Sequence, residues 1–198
     1  MLRLSFLLPL LTLGGAAAAQ APDTASYPYR FYHFSLGTLT TADGETQQLY
    51  LPYDGLSFTG LMPYFDQQPL RHKDQLQKFM SVSHIHSVAA RQAYYETVLE
   101  AGQPSPRMAR RVLDGAVPVF IWVRNGAVVP NRWYVRDATG DLVQVKADTY
   151  RVQVVPLLAG QPALADSVQR DLKGYRFANL YQVMRRYNQL AAQSPAAR

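Results

Sequence analysis

"RMARRVLDGAVPVFIWVRNGAVVPNRWYVRDATGDLVQV", residues 107–145, is the stretch whose reading decides the fold. Runs of β-branched and aromatic residues alternate with Asp114-Gly115, Asn125-Gly126 and Thr139-Gly140. Such dipeptides supply the backbone angles of tight turns. Turns this short join antiparallel neighbours, because a parallel crossover needs a dozen residues or more. The stretch therefore predicts an antiparallel meander.

Toward the N-terminus the same grammar continues. "YRFYHFSLGTLTTADGETQQLYLPYDG", residues 29–55, places strand-formers on both sides of Asp43-Gly44 and predicts a hairpin. Residues 56–69 carry Gly60, Pro63 and Pro69 and are expected to form a loop or a broken edge strand. Residues 77–100 have both helix-formers and β-rich runs; two strands with a turn near residues 90–93 are expected, with a helix as the alternative. "SVSHIHSV", residues 81–88, would be one of those strands, with His84 and His86 on one face.

After Val145 the period changes. Asp148 or Thr149 can cap a helix through "YRVQVVPLLAG", where Pro156 would kink it or open a new turn and Gly160 would stop it. "PALADSVQRDLKG" opens on Pro162 and is expected to close at Gly174. In "RFANLYQVMRRYNQLAA" the residues Phe177, Leu180, Tyr181, Met184, Tyr187 and Leu190 recur at three- and four-residue steps, an apolar stripe that would lie on the sheet. The fold class expected is α+β: a strongly bent antiparallel β-sheet, a meander that can curl as far as a half-barrel, followed by two or three short C-terminal helices.

The N-terminus reads as a secretory leader. "MLRLSFLLPLLTLGGAAAAQAP" has one charge, Arg3, an apolar run from Leu4 to Leu13, and small residues suited to cleavage after Ala19 or Ala21. The run is shorter than the ~20 residues that span a bilayer. The expected organisation is a signal peptide over 1–21, a flexible leader over 22–28, a single domain over 29–192 (β-rich 29–145, helical 146–192) and a disordered tail over 193–198. No transmembrane segment is expected after cleavage, and the protein is expected in the periplasm or outside the cell. There is no cysteine, which excludes disulfides, thiol catalysis and Cys-based zinc sites. The net charge of +6 is spread along the chain, with short pairs at Arg110-Arg111 and Arg185-Arg186. For an exported protein this favours acidic lipid, glycan or protein partners over nucleic acid.

Several segments together resemble a loose group of uncharacterised, signal-bearing secreted or envelope proteins of Gram-negative bacteria. "GTLTTADGET" (37–46) is similar to a G-x-[hydrophobic]-x-x-x-D-G-[DE]-T hairpin of that group. "HIHSVAARQAYYETVLEAG" (84–102) matches its strand-turn-strand, and "RRVLDGAVPVFIWV" (110–123) its V-x-D-G-x-V turn. "WYVRDATGDLVQV", "LAGQPALADSVQRDL" and "VMRRYNQL" follow the order of its C-terminal part, which closes on Y-N. The resemblance implies secretion and a β-then-α layout, and implies no activity. In similar sequences the position of His84 is often Asp, which argues against a required metal ligand there.

Chemical constellations are sparse. His84 and His86 on one strand, joined by His33 or His72 from neighbouring strands, would make a three-imidazole zinc site with one open position. No H-E-x-x-H accompanies them. "GLSFTG", residues 55–60, departs from G-x-S-x-G by one position and lacks a strand-to-helix elbow. Glu96 and Glu100 would share a strand face and are the carboxylates best placed for a buried or cleft role, as a glycosidase pair requires. Many of the other acids, Asp43, Asp54, Asp114, Asp137 and Asp141, sit in turns and are accounted for by turn and cap chemistry. Trp122, Trp133 and thirteen tyrosines would line the sheet or, if exposed, stack on sugars or a protein partner.

No catalytic, cofactor-binding or metal residue is assigned. The expected function is that of an exported, non-enzymatic cell-envelope protein with a binding or scaffolding role, its partner an envelope protein or a glycan. The alternative is a metal-dependent hydrolase or metal-binding protein using His84 and His86. A carrier of a small apolar ligand, which needs an enclosed cavity, is a third class.

Overall fold

The Asp43-Gly44 pair turns the chain as its chemistry requires: Gly44 takes φ +86° between two long strands. These belong to a computed structural model that describes residues 27–29, 32–55, 57–69, 77–99, 105–123, 131–137 and 139–193. The expected signal peptide, His72, Glu100 and the expected Asn125-Gly126 turn lie outside the described residues.

Twelve strands occur among the described residues: β1 (Tyr27–Tyr29), β2 (Tyr32–Thr41), β3 (Thr46–Pro52), β4 (Ser57–Thr59), β5 (Leu61–Tyr64), β6 (Lys78–Ser81), β7 (Ile85–Ala90), β8 (Ala93–Val98), β9 (Arg107–Leu113), β10 (Val119–Trp122), β11 (Arg132–Arg136) and β12 (Leu142–Val145). Every pairing among them is antiparallel. The sheet runs β1-β2-β7-β8-β9-β10-β11-β12, with β3 also on β2, and with β4, β5 and β6 branching from β9. The three helices are α1 (Tyr150–Val154), α2 (Pro162–Gln169) and α3 (Leu180–Gln193). The molecule is thus α+β, β-rich to Val145 and helical after it. No described helix is long and apolar enough to cross a membrane.

The sheet bends because β9 changes partner midway. Its first residues pair with β4, and from Arg110 onward with β10. Register shifts at Val119/Phe120 and at Thr40/Thr41 add local kinks. The branch β4-β5 then swings round toward β3, where Tyr50 and Phe65 exchange two backbone hydrogen bonds of 2.9 and 3.1 Å. That contact is one isolated bridge and not a ladder, so the sheet curls without closing into a barrel. Leu39, Leu51, Met62, Val88, Tyr95 and Met108 fill the curl. Farther along the same sheet, Val119, Val135 and Val145 pack against Val154, Leu164, Val168, Leu180 and Met184 of the helical part. Side chains alternate across a strand, so Phe120, Trp122 and Tyr134 form a third cluster on the opposite face.

Several expectations are corrected. Tyr27–Tyr29, at the join between the expected leader and the expected domain, pair with β2. Residues 57–64 form two short strands about Gly60 (φ +73°), and β4 is interior, not an edge. Residues 81–88 are not one strand. A 3-10 turn at Val82–His84, seated by Val82 N–H on the Gly60 carbonyl (2.9 Å), separates β6 from β7. Pro156 opens a new 3-10 turn, as one of its two readings proposes. The second helix stops well before Gly174: Asp171 takes φ +55°, and Leu172 N–H reaches back to Ser167 O (3.2 Å). A 3-10 turn at Phe177–Asn179 precedes α3 and shifts its phase, so the buried residues are Leu180, Val183, Met184 and Asn188. The helix also extends to Gln193, one residue into the expected tail.

Candidate functional site

At one end of the curled sheet the strand ends leave a cleft of about 790 Å³, lined by Tyr53, Asp54, Arg91, Gln92, Ala93 and Arg110. Each residue arrives by a simple rule. Tyr53 and Asp54 follow Pro52, which ends β3. Tyr53 N–H donates to the His33 carbonyl (3.1 Å), and His33 N–H donates to Asp54 Oδ1 (2.9 Å). The His33 ring Nδ1 lies 2.5 Å from Asp54 Oδ2, so one residue fixes both carboxylate oxygens.

Arg91 and Gln92 are the two-residue turn between β7 and β8, with Ala90 opposite Ala93. Of the two turn residues only Arg91 has a positive φ, +54°. A positive φ in a tight turn is a conformation for which Gly is the usual occupant. The strained arginine is held in place: its Nη1 donates to Tyr53 OH (3.1 Å), and its guanidinium carbon lies 4.9 Å from the Tyr53 ring centroid.

Arg110 enters from β9, opposite Tyr95 of β8. Its neighbour Arg111 points to the other face and stacks on Tyr94 (4.3 Å), since successive strand residues alternate. Among the described residues Arg110 forms no salt bridge. Beneath the cleft the Tyr95 hydroxyl donates to Gly55 O (2.5 Å). Burial pushes that phenol far above its ordinary range, while Arg110 pulls it down and Asp54 adds to the rise. The cleft offers two guanidiniums, one carboxylate, a phenol and an amide to a ligand.

The residues singled out from sequence are placed differently. His84 and His86 are both exposed, one in the 3-10 turn and one on β7. His84 O accepts from Ala42 N–H, just past the end of β2, whereas His33 lies near the start of that strand. Nine residues of strand separate the two places, roughly 30 Å. His33 is thus not brought to the His84–His86 pair, and His72 is outside the described residues. No three His, Asp or Glu side chains gather as a metal site among the described residues. Ser57 is buried on β4 and donates to the Val123 carbonyl.

Glu96 is buried, 6% exposed, and paired with Arg136. Trp122 is 5% exposed, between Arg107 (4.5 Å) and Arg132 (5.6 Å), and so presents no free face to a sugar. Trp133 packs against the helical core. Sequence reasoning did not select Tyr53, Asp54, Arg91 or Arg110. The available signal was Arg91-Gln92 at an expected tight turn, where Gly or Asn is the usual choice. No protein-family model matches the chain, and no curated protein or solved structure is similar to it.

Proposed function

We propose that the chain is an exported, non-enzymatic binding protein of the cell envelope that holds a small anionic ligand in the cleft of Arg91 and Arg110. The observation that carries this reading is Arg91. A non-glycine residue in a turn position suited to Gly is a local cost, and such costs cluster where a side chain is needed for binding. Here the side chain brings a guanidinium to a cleft also lined by Arg110, which forms no salt bridge among the described residues. Planar guanidiniums suit carboxylate and phosphate oxygens. The leader pattern and the resemblance to signal-bearing proteins support export.

Isothermal titration of the mature chain tests the cleft. Citrate is expected to bind at low salt, to weaken as salt rises, and to be lost in Arg110→Gln, while maltose gives no heat. Citrate binding unaffected by Arg110→Gln, or absent altogether, sinks the reading. N-terminal sequencing of protein from the envelope fraction checks export: the chain should start at Gln20 or Pro22.

A further inference from the structure

Asp54 gives the cleft something that an anion site does not require. A carboxylate beside two guanidiniums weakens the hold on a purely anionic ligand, yet this one is fixed in the wall by His33 rather than paired with either arginine. We propose that the ligand is a zwitterion, a short peptide or free amino acid, with its carboxylate at Arg91 and Arg110 and its ammonium at Asp54. This rests on the cleft being an anion site. An ionised carboxylate has about four acceptor positions. His33 occupies one on each oxygen, which leaves room for an ammonium. Asp54 and both arginines line the same cleft, so opposite charges face one ligand volume. The Gln92 amide and the Tyr53 phenol supply hydrogen bonds of the kind a peptide unit uses. A volume of 790 Å³ lies in the range of drug-sized ligands, roughly 300–1,000 Å³, and favours a short peptide over a single amino acid.

The test is titration of the mature chain with tri-alanine, N-acetyl-tri-alanine, tri-alanine amide and L-alanine. Tri-alanine is expected to bind about tenfold or more tightly than either blocked peptide, as loss of one charge-assisted contact implies. Asp54→Asn keeps an acceptor for His33 N–H; it should erase the preference for a free amine while leaving the acetylated peptide bound as before. Arg110→Gln should weaken every ligand with a free carboxylate. L-alanine within tenfold of tri-alanine would identify a free amino acid as the occupant, and weaker binding a peptide; either supports the zwitterion. Acetylated and free peptides binding equally would overturn the inference and leave the anion cleft standing. Failure of all of them, citrate included, would overturn both.

Discussion

Arg136 of β11 bonds both carboxylate oxygens of Glu96 on β8, at 2.5 Å each, across the two intervening strands β9 and β10. Three strand spacings amount to about 14 Å in a flat sheet. The two side chains close that gap by lying along the face, with the Arg136 guanidinium 5.9 Å from the Phe120 ring centroid. Phe120 and Tyr134 lie wholly buried on that face, in a cluster to which no described helix contributes. The carboxylate singled out for a cleft role instead anchors the sheet.

Arg136→Ala leaves the Glu96 carboxylate buried without its partner. The expected loss is about 3 kcal/mol, toward the low end for a buried pair because the arginine is a third exposed. Glu96→Leu combined with Arg136→Met should recover much of it. Urea denaturation decides: an Arg136→Ala midpoint equal to wild type would show the pair to be idle.

Asn188 clamps the turn between β9 and β10 to α3. Its Oδ1 accepts from Val117 N–H (2.9 Å), and its Nδ2 donates to Val117 O (2.9 Å) and Asp114 O (3.1 Å). Gly115 at φ +134° lies so close that a Cβ there would come within 2.6 Å of the Asn188 side chain. Asn188→Ala should cost about 2 kcal/mol, since it orphans a buried N–H. Gly115→Ala should be severe alone and milder in the Asn188→Ala background. Additive losses in that double-mutant cycle would mean the clash does not exist.

Alkaline pH should destabilise the protein through Tyr150. Its hydroxyl is buried and has no hydrogen-bond partner among the described residues. Burial first, then the charge of Asp171, pushes the phenol from 10.0 up to about 12. Above pH 10 the unfolded chain has released this proton and the native one still holds it. Stability from this group is therefore full below pH 10 and is lost as pH rises toward 12. Tyr150→Phe should flatten that fall. Equal alkaline slopes in the two proteins, from urea midpoints at several pH values, would assign the effect elsewhere.

Arg91→Gly tests the site directly. It relieves the positive φ but removes the hydrogen bond to the Tyr53 hydroxyl and the contact with its ring. Citrate binding should weaken at least about tenfold. A variant that binds citrate like wild type would remove Arg91 from the site.

The turns were legible because their chemistry is local. Asp43-Gly44, Asp114-Gly115 and the Pro156 break each announce themselves within a few residues. Asn188 was not legible, because a polar residue beside an apolar stripe reads as solvent-facing until the carbonyls it satisfies, some seventy residues away, are in place. The cleft is equally non-local: Tyr53 just after β3, Arg91 just after β7 and Arg110 in the middle of β9 meet only in the curled sheet. Arg110 and Arg111 read as one basic pair, yet they serve opposite faces. His84 and His86 look paired at a spacing of two, a period that the 3-10 turn at Val82–His84 cancels.

The lone bridge between Tyr50 and Phe65 makes a seam. β2 pairs with β3 and with β7 through ladders, so those pairings are held by runs of neighbouring residues, whereas β3 meets the segment after β5 at this single pair. The amide protons of Tyr50 and Phe65 should then exchange with solvent long before those of Leu39 or Tyr95, by sub-global opening.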